Sequence, residues 1–172
     1  MRKLPAKKKP AAKKKTKVKN VTPKTYAGVL YKSSLEAHCA QALTEAGLPV
    51  NYETWKVVLH EKLLSQVESW EPKTTKNKEA GIKVRTFAPV SQALRQSVYT
   101  PDFVDLDAGW IIETKGLRTE AFNLRYRLFK KWLHDNNMHH LKLFMPGNHN
   151  EIQQVITCIL SNKANGAANL SA

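Results

Sequence analysis

Two carboxylates and an amine crowd one short stretch of this chain. Residues 99–116 read Tyr-Thr-Pro-Asp-Phe-Val-Asp-Leu-Asp-Ala-Gly-Trp-Ile-Ile-Glu-Thr-Lys-Gly and contain Asp102, Glu113 and Lys115. Two apolar-rich halves, residues 103–106 and 110–112, flank a turn signal at Asp107-Ala108-Gly109, which predicts a β-hairpin. With Asp107 and Ala108 as a two-residue loop, Leu106 faces Gly109 and Asp102 faces Glu113. Directly opposed residues hold their Cβ atoms about 5 Å apart. Strand alternation puts Lys115 on the face of Glu113. Such a patch is costly unless something uses it, and a divalent metal with oxygen ligands would.

The chemistry this set can carry is hydrolysis of a phosphodiester. Mg2+ held by carboxylates supplies a nucleophilic water, charge stabilisation and help for the leaving oxygen, and it needs only one or two protein carboxylates. Asp102 and Glu113 are the expected ligands, the backbone carbonyl of Thr114 is a third oxygen, and Lys115 is placed to polarise the attacking water. As a bare pattern, P-D-x(n)-E-x-K is short and loose. The bland alternative is a surface hairpin in which Lys115 pairs with Asp102 or Glu113.

The elements that position these groups are read from periodicity. Ser33 and Glu36 form a capping box ahead of a stripe of Leu35, Cys39, Ala42, Leu43 and Ala46 that stops at Gly47, so folded structure is expected from about Tyr31. Residues 50–59 read as a strand. Residues 61–70 read as a short helix, 71–81 as a polar Lys-rich loop, 82–90 as a strand and 91–97 as a helical turn. A segment of that size is long for a plain loop, so residues 60–98 are read as an insertion with structure of its own. Thr119 can cap a helix carrying Phe122, Tyr126, Phe129, Trp132 and Leu133, with Arg125, Arg127, Lys130 and Lys131 on its other face. Residues 139–145 read as a strand, and Asn150 opens a last helix with Ile152, Val155, Ile156, Ile159 and Leu160 inward. The expected class is α/β, a mixed central sheet flanked by helices.

Charge divides the chain. The formal net charge is +14, and the first twenty residues carry ten Lys or Arg and no acid, leaving 18 basic against 14 acidic residues elsewhere. Residues 1–24 are expected to be a disordered tail, with Lys7, Lys8, Lys9, Lys13, Lys14 and Lys15 as a nucleic-acid-binding arm. A folded domain is expected over 25–164 and a loose end over 165–172. The implied partner is a polyanion, nucleic acid before membrane. Two cysteines, Cys39 and Cys158, are expected as buried free thiols, which fits a reducing cytoplasm. No apolar run is long enough for a membrane span, and the basic start lacks the apolar core of a secretory signal.

Thr100-Pro101-Asp102-Phe103 followed by Glu113-Thr114-Lys115-Gly116-Leu117 resembles the PD-(D/E)xK nuclease superfamily, and more narrowly phage-type endonuclease I, the Holliday-junction resolvase. Ser34-Leu35-Glu36 resembles the opening of that family's catalytic helix, Glu53-Thr54-Trp55-Lys56-Val57 its following strand, and Tyr99 extends the Thr-Pro-Asp-Phe motif. The resemblance covers residues 32–56 and 99–117, and the C-terminal helices in pattern only. It implies a restriction-endonuclease-like core with Glu36, Asp102 and Glu113 as metal-site carboxylates and Lys115 as catalytic lysine. Mg2+ is the implied cofactor, with Mn2+ as substitute. It further implies a phage-encoded enzyme acting in the host cytoplasm on branched DNA, with a homodimer in prospect. Arg118, and Arg125 on the basic face of the helix after Thr119, are read as DNA-binding residues, a solvated helix face being the alternative. The segment 60–98 departs from the family by being far longer, and the C-terminal part by being shorter.

Other chemistries are less well supported. His139, His140 and His149 lack partners at zinc-like spacing, and no phosphate-binding Gly-rich loop implies a nucleotide cofactor. Trp55, Trp110 and Trp132 read as core or core-edge residues, whereas Trp70 beside the Lys-rich stretch is a candidate for stacking on a base. Two rival readings stay open: an endonuclease without junction preference, and a non-catalytic DNA-binding protein on a nuclease scaffold.

Overall fold

A computed structural model describes residues 22–76, 83–91 and 93–168. The basic blocks at Lys7 to Lys9 and Lys13 to Lys15 lie outside these residues. The chain opens with an antiparallel pair, β1 (Lys24–Tyr26) and β2 (Val29–Tyr31), so structure begins earlier than Tyr31. The intervening turn places Ala27 and Gly28 at positive φ, a conformation that leaves no periodic signal.

Helix α1 (Ser34–Glu45) starts at the expected capping box, Ser33 accepting from the Glu36 backbone N–H, and ends before Gly47 at φ +65°. The expected strand over 50–59 is shorter. It is confined to β3 (Val57–His60), because Glu53 adopts φ +49° and interrupts any ladder there. Upstream, Tyr52 makes only an isolated antiparallel bridge to Phe103.

The centre is a three-stranded sheet of β9 (Phe103–Asp105), β10 (Trp110–Ile112) and β11 (Lys142–Phe144). β10 lies between the others, antiparallel to β9 and parallel to β11. Its faces alternate as a fully buried strand must. Phe103, Trp110 and Ile112 pack with α1 and with α3 (His149–Ala168), through Leu43, Ile152, Ile156 and Ile159. Val104 and Ile111 pack on the opposite side with Val57, Tyr99 and α2 (Glu120–Asp135), through Phe129 and Leu133. Helices therefore cover both faces, and the class is α/β. Trp110 is core, while Trp55 and Trp132 meet edge to face at the core margin.

Two expected burials fail. Cys39 is fully buried, but Cys158 is exposed, and Leu160 is likewise exposed. Both fall on the outer side of α3, whose inner stripe of Ile152, Ile156 and Ile159 needs only one face. The helix also runs on to Ala168, through part of the expected loose end.

Among its described residues, the segment 60–98 holds no helix and is built largely of paired strands. β3 pairs with β8 (Ser97–Tyr99), β4 (Leu63–Leu64) with β7 (Ala93–Leu94), and β5 (Trp70–Lys76) with β6 (Lys83–Pro89), all antiparallel. These nested pairs make one interrupted two-stranded ribbon whose register shifts between Val58 and His60. Among the described residues, the expected helix over 61–70 is replaced by β4 and the start of β5, the expected loop over 71–81 by strand over 71–76, and the expected helical turn over 91–97 by β7 and the start of β8; residues 77–82 and 92 lie outside the described residues. Both faces of the distal ribbon are exposed, so no hydrophobic alternation marks it in the sequence. Pro72 and Pro89 are tolerated because each strand of a ribbon is an edge.

Candidate functional site

The sheet sets the register of the site. Trp110 lies opposite Asp105, Ile111 opposite Val104 and Ile112 opposite Phe103. The ladder ends at Ile112 and Phe103, and the expected opposition of Asp102 and Glu113 lies one step beyond its paired residues. The connection is a turn over residues 106–109 rather than a two-residue loop, closed by the Ala108 N–H donating to Asp105 Oδ1 at 3.0 Å. β10 also stays anchored past its formal end. The Glu113 N–H donates to Phe144 O at 3.0 Å and the Lys115 N–H to Pro146 O at 2.9 Å. Gly147 permits this approach, since a Cβ there would lie 3.3 Å from Lys115 O.

Asp102 is buried and its Oδ2 accepts two hydrogen bonds of 2.7 Å, from the Thr114 backbone N–H and the Thr114 hydroxyl. Strict alternation would turn the Thr114 hydroxyl away from this face. The chain bends at Asp102, just after Pro101, and that bend brings the carboxylate round to it. Burial raises the proton affinity of Asp102, the Thr114 hydroxyl opposes the rise, and the charge of Glu36 adds to it. Glu113 is also buried, and its proton affinity is raised by desolvation first and by Asp102 second.

Tyr99 borders this pair. Its buried hydroxyl lacks any partner of good hydrogen-bond geometry, yet it lies near enough to Glu113 to ease that group's ionisation. Its own ionisation is pushed up by burial and by Glu113. The Lys115 ammonium eases ionisation of both acids and rests 4.6 Å from the centroid of the Phe122 ring.

Glu36 reaches the same neighbourhood from the first turn of α1, and its charge is felt by both Asp102 and Glu113. Its oxygens are nevertheless committed. Oε1 accepts from the Ser33 hydroxyl at 2.8 Å, and Oε2 from the Lys32 N–H at 3.0 Å and the Tyr52 hydroxyl at 2.5 Å. Beside it Lys32 pairs with Glu53, whose N–H donates to Asp102 O at 2.8 Å.

Among the described residues, no group of three His, Cys, Asp or Glu is arranged to hold a metal ion. The donors filling Glu36 explain why a third carboxylate does not join the pair. Asp102 and Glu113 still fit the modest demand of magnesium for one or two carboxylates. Both are buried, desolvation raises the proton affinity of each, Asp102 adds to that of Glu113, and a bound cation would relieve that cost.

Of the expected DNA-binding side chains, Arg118 and Arg125 are exposed. Arg118 lies near enough to Tyr126 to ease its ionisation, which burial and Glu113 otherwise oppose. On the basic face of α2, Lys131 pairs with Asp135 at 2.5 Å and Lys130 sits over Tyr126, which leaves Arg125 and Arg127 projecting. Sequence reasoning missed Tyr52 and the side chain of Thr114. Thr114 did carry a signal, as a hydroxyl between Glu113 and Lys115, but its target depends on the bend at Asp102. Tyr52 carried none.

Among the described residues no helix is long and apolar enough to cross a membrane. No family model, curated protein or solved structure matches this chain, so the site is interpreted from its own geometry.

Proposed function

We propose that the chain is a Mg2+-dependent endodeoxyribonuclease with a restriction-endonuclease-like core, of the PD-(D/E)xK kind and similar to phage endonuclease I, that cuts branched DNA. The observation that carries this reading is the burial of Asp102 and Glu113 close enough for the charge of one to act on the other, with Lys115 acting on both. Asp102 and Glu113 would hold the metal, which when bound lowers the pKa of a water and neutralises phosphate charge. Thr114 keeps Asp102 ionised and oriented by donating two hydrogen bonds to it. Lys115, held over Phe122, orients the water and offsets charge on the scissile phosphate. Glu36 caps α1 and adds negative charge beside Asp102 and Glu113, which opposes their ionisation and would favour a cation there. DNA is drawn in by the basic tail and by Arg118 and Arg125. A homodimer and Mn2+ as a substitute metal follow from the resemblance alone.

Cleavage of a four-way junction, a duplex and a single strand, each with Mg2+ or with chelator, tests the reading. Metal-dependent cutting that favours the junction and is lost in Asp102→Ala is expected, with junction binding kept. Full activity in Asp102→Ala sinks it. Equal cutting of junction and duplex leaves an endonuclease without junction preference. The committed oxygens of Glu36 favour a second reading, a non-catalytic DNA-binding protein on the same scaffold, and binding without cutting of any substrate selects it.

A further inference from the structure

The distal ribbon of β5 and β6 carries a face that no other described residue covers. Its register sets Trp70 opposite Pro89, Pro72 opposite Phe87 and Thr74 opposite Arg85, with Lys83 opposing the last residue of β5. Directly opposed residues share a face, and alternate residues along each strand return to it. One face therefore presents Trp70, Pro72, Phe87 and Pro89, followed outward by Arg85 and Lys83. The acid of this strand pair, Glu71, falls on the opposite face with Lys73 and Val84. Trp70 and Phe87 are diagonal neighbours and stay 56% and 71% exposed. The Trp70 indole is also held in place, its N–H donating to Glu68 Oε1 at 2.9 Å.

Large exposed rings on a projecting element are unfavourable unless a partner covers them. A two-fold contact with a second copy would put both copies of Arg85 and Lys83 into one interface with no acid from this face of β5 and β6 to offset them. A polyanion with open ring faces meets both features at once. Bases stack on Trp70 and Phe87, and phosphates meet Arg85 and Lys83. We infer that this face of the ribbon binds DNA through unpaired, unstacked bases, as at a branch point or in a single strand. The inference rests on the nuclease reading only for the choice of DNA as the nucleic acid.

The test is equilibrium binding of the full chain in chelator, where no cutting can occur. Fluorescein-labelled oligothymidylate, a four-way junction and a blunt duplex are compared by anisotropy. For Trp70→Ala/Phe87→Ala, affinity for oligothymidylate and junction should fall by about tenfold or more, with duplex affinity changed by less than about twofold. Trp70→Phe/Phe87→Tyr should restore it, because the ring faces return. Unchanged affinity, an equal loss on duplex, or no rescue by the aromatic swap overturns the inference. So does a fall in solution mass of the alanine variant, which assigns the face to self-association. Failure of the nuclease reading registers separately, as absence of cutting when Mg2+ is added to a protein that still binds.

Discussion

Thr114 clamps Asp102 from two directions, its backbone N–H and its hydroxyl each donating to Oδ2 at 2.7 Å. A hydrogen bond to a charged group contributes about 1.5–3 kcal/mol, more when the acceptor is buried and cannot turn to water. Thr114→Val removes the hydroxyl and keeps the shape. Its unfolding free energy at neutral pH should fall by about 1.5–3 kcal/mol in denaturant titration. The acid limb of its cleavage pH profile should move to higher pH, because Asp102 loses the donor that eases its ionisation. Thr114→Ser should recover both, and an unshifted limb in the valine variant would refute the clamp.

Proton linkage at the acid pair has a definite sign. Burial first, then the charge of Glu36 at Asp102 and of Asp102 at Glu113, raises both acids above their ordinary values in the folded state. The folded chain therefore holds more protons than the unfolded one between the two sets of values, and stability declines as pH rises through that window. Metal-free protein should lose thermal stability from about pH 5 to pH 8, and Glu113→Gln should melt higher than the parent at the upper end. Added Mg2+ should raise the melting midpoint more at the upper end than at the lower, because binding displaces those protons. An equal metal effect at both ends would contradict the assignment.

Lys115 owes its position to Phe122, whose ring lies beneath the ammonium. Such contacts are worth about 0.5–2 kcal/mol. Phe122→Leu keeps an apolar residue in the core and removes the ring face. Turnover should fall several-fold with DNA affinity unchanged, whereas Lys115→Ala should abolish turnover. Steady-state rates set beside anisotropy binding separate the two effects, and loss of affinity in Phe122→Leu would point to general damage.

Glu36 serves its helix and its neighbours at once. Tyr52→Phe removes one of its three side-chain-directed donors and leaves those from Ser33 and Lys32. Stability should drop by about 1–3 kcal/mol, since a buried carboxylate loses a partner, while Mg2+-dependent cutting survives. Complete loss of cutting in a well-folded Tyr52→Phe protein would place Tyr52 in the chemistry instead.

The basic tail should act through counterion release. Deleting residues 1–20 removes ten positive charges. Affinity for every DNA should weaken, and the slope of log affinity against log salt should flatten. An unchanged slope would leave the tail without a binding role.

Much of this protein was legible because its signals are local. The Ser33–Glu36 box, the stop at Gly47, the cap at Thr119 and the stripe on α2 are set by neighbours within a turn of helix, and the structure keeps each of them. The register of the β9–β10 hairpin was legible too, since one turn signal and one pairing direction determine a whole ladder. Periodicity failed where burial does not enforce it. The ribbon from β3 to β8 has no covered face distally, so its strands read as loop and helix. The last helix, by contrast, has apolar residues to spare, and Leu160 and Cys158 fall outside.

The sequence by itself determined which groups meet across the hairpin and that they are costly to hold together. Tertiary structure alone decided how each is satisfied. A bend at Asp102 delivers its carboxylate to Thr114, and Tyr52, from a different segment, saturates Glu36. Tyr99 is left beside Glu113 with its hydroxyl unpaired. These outcomes depend on side-chain reach and on chain segments brought together by the core, which register and composition do not encode.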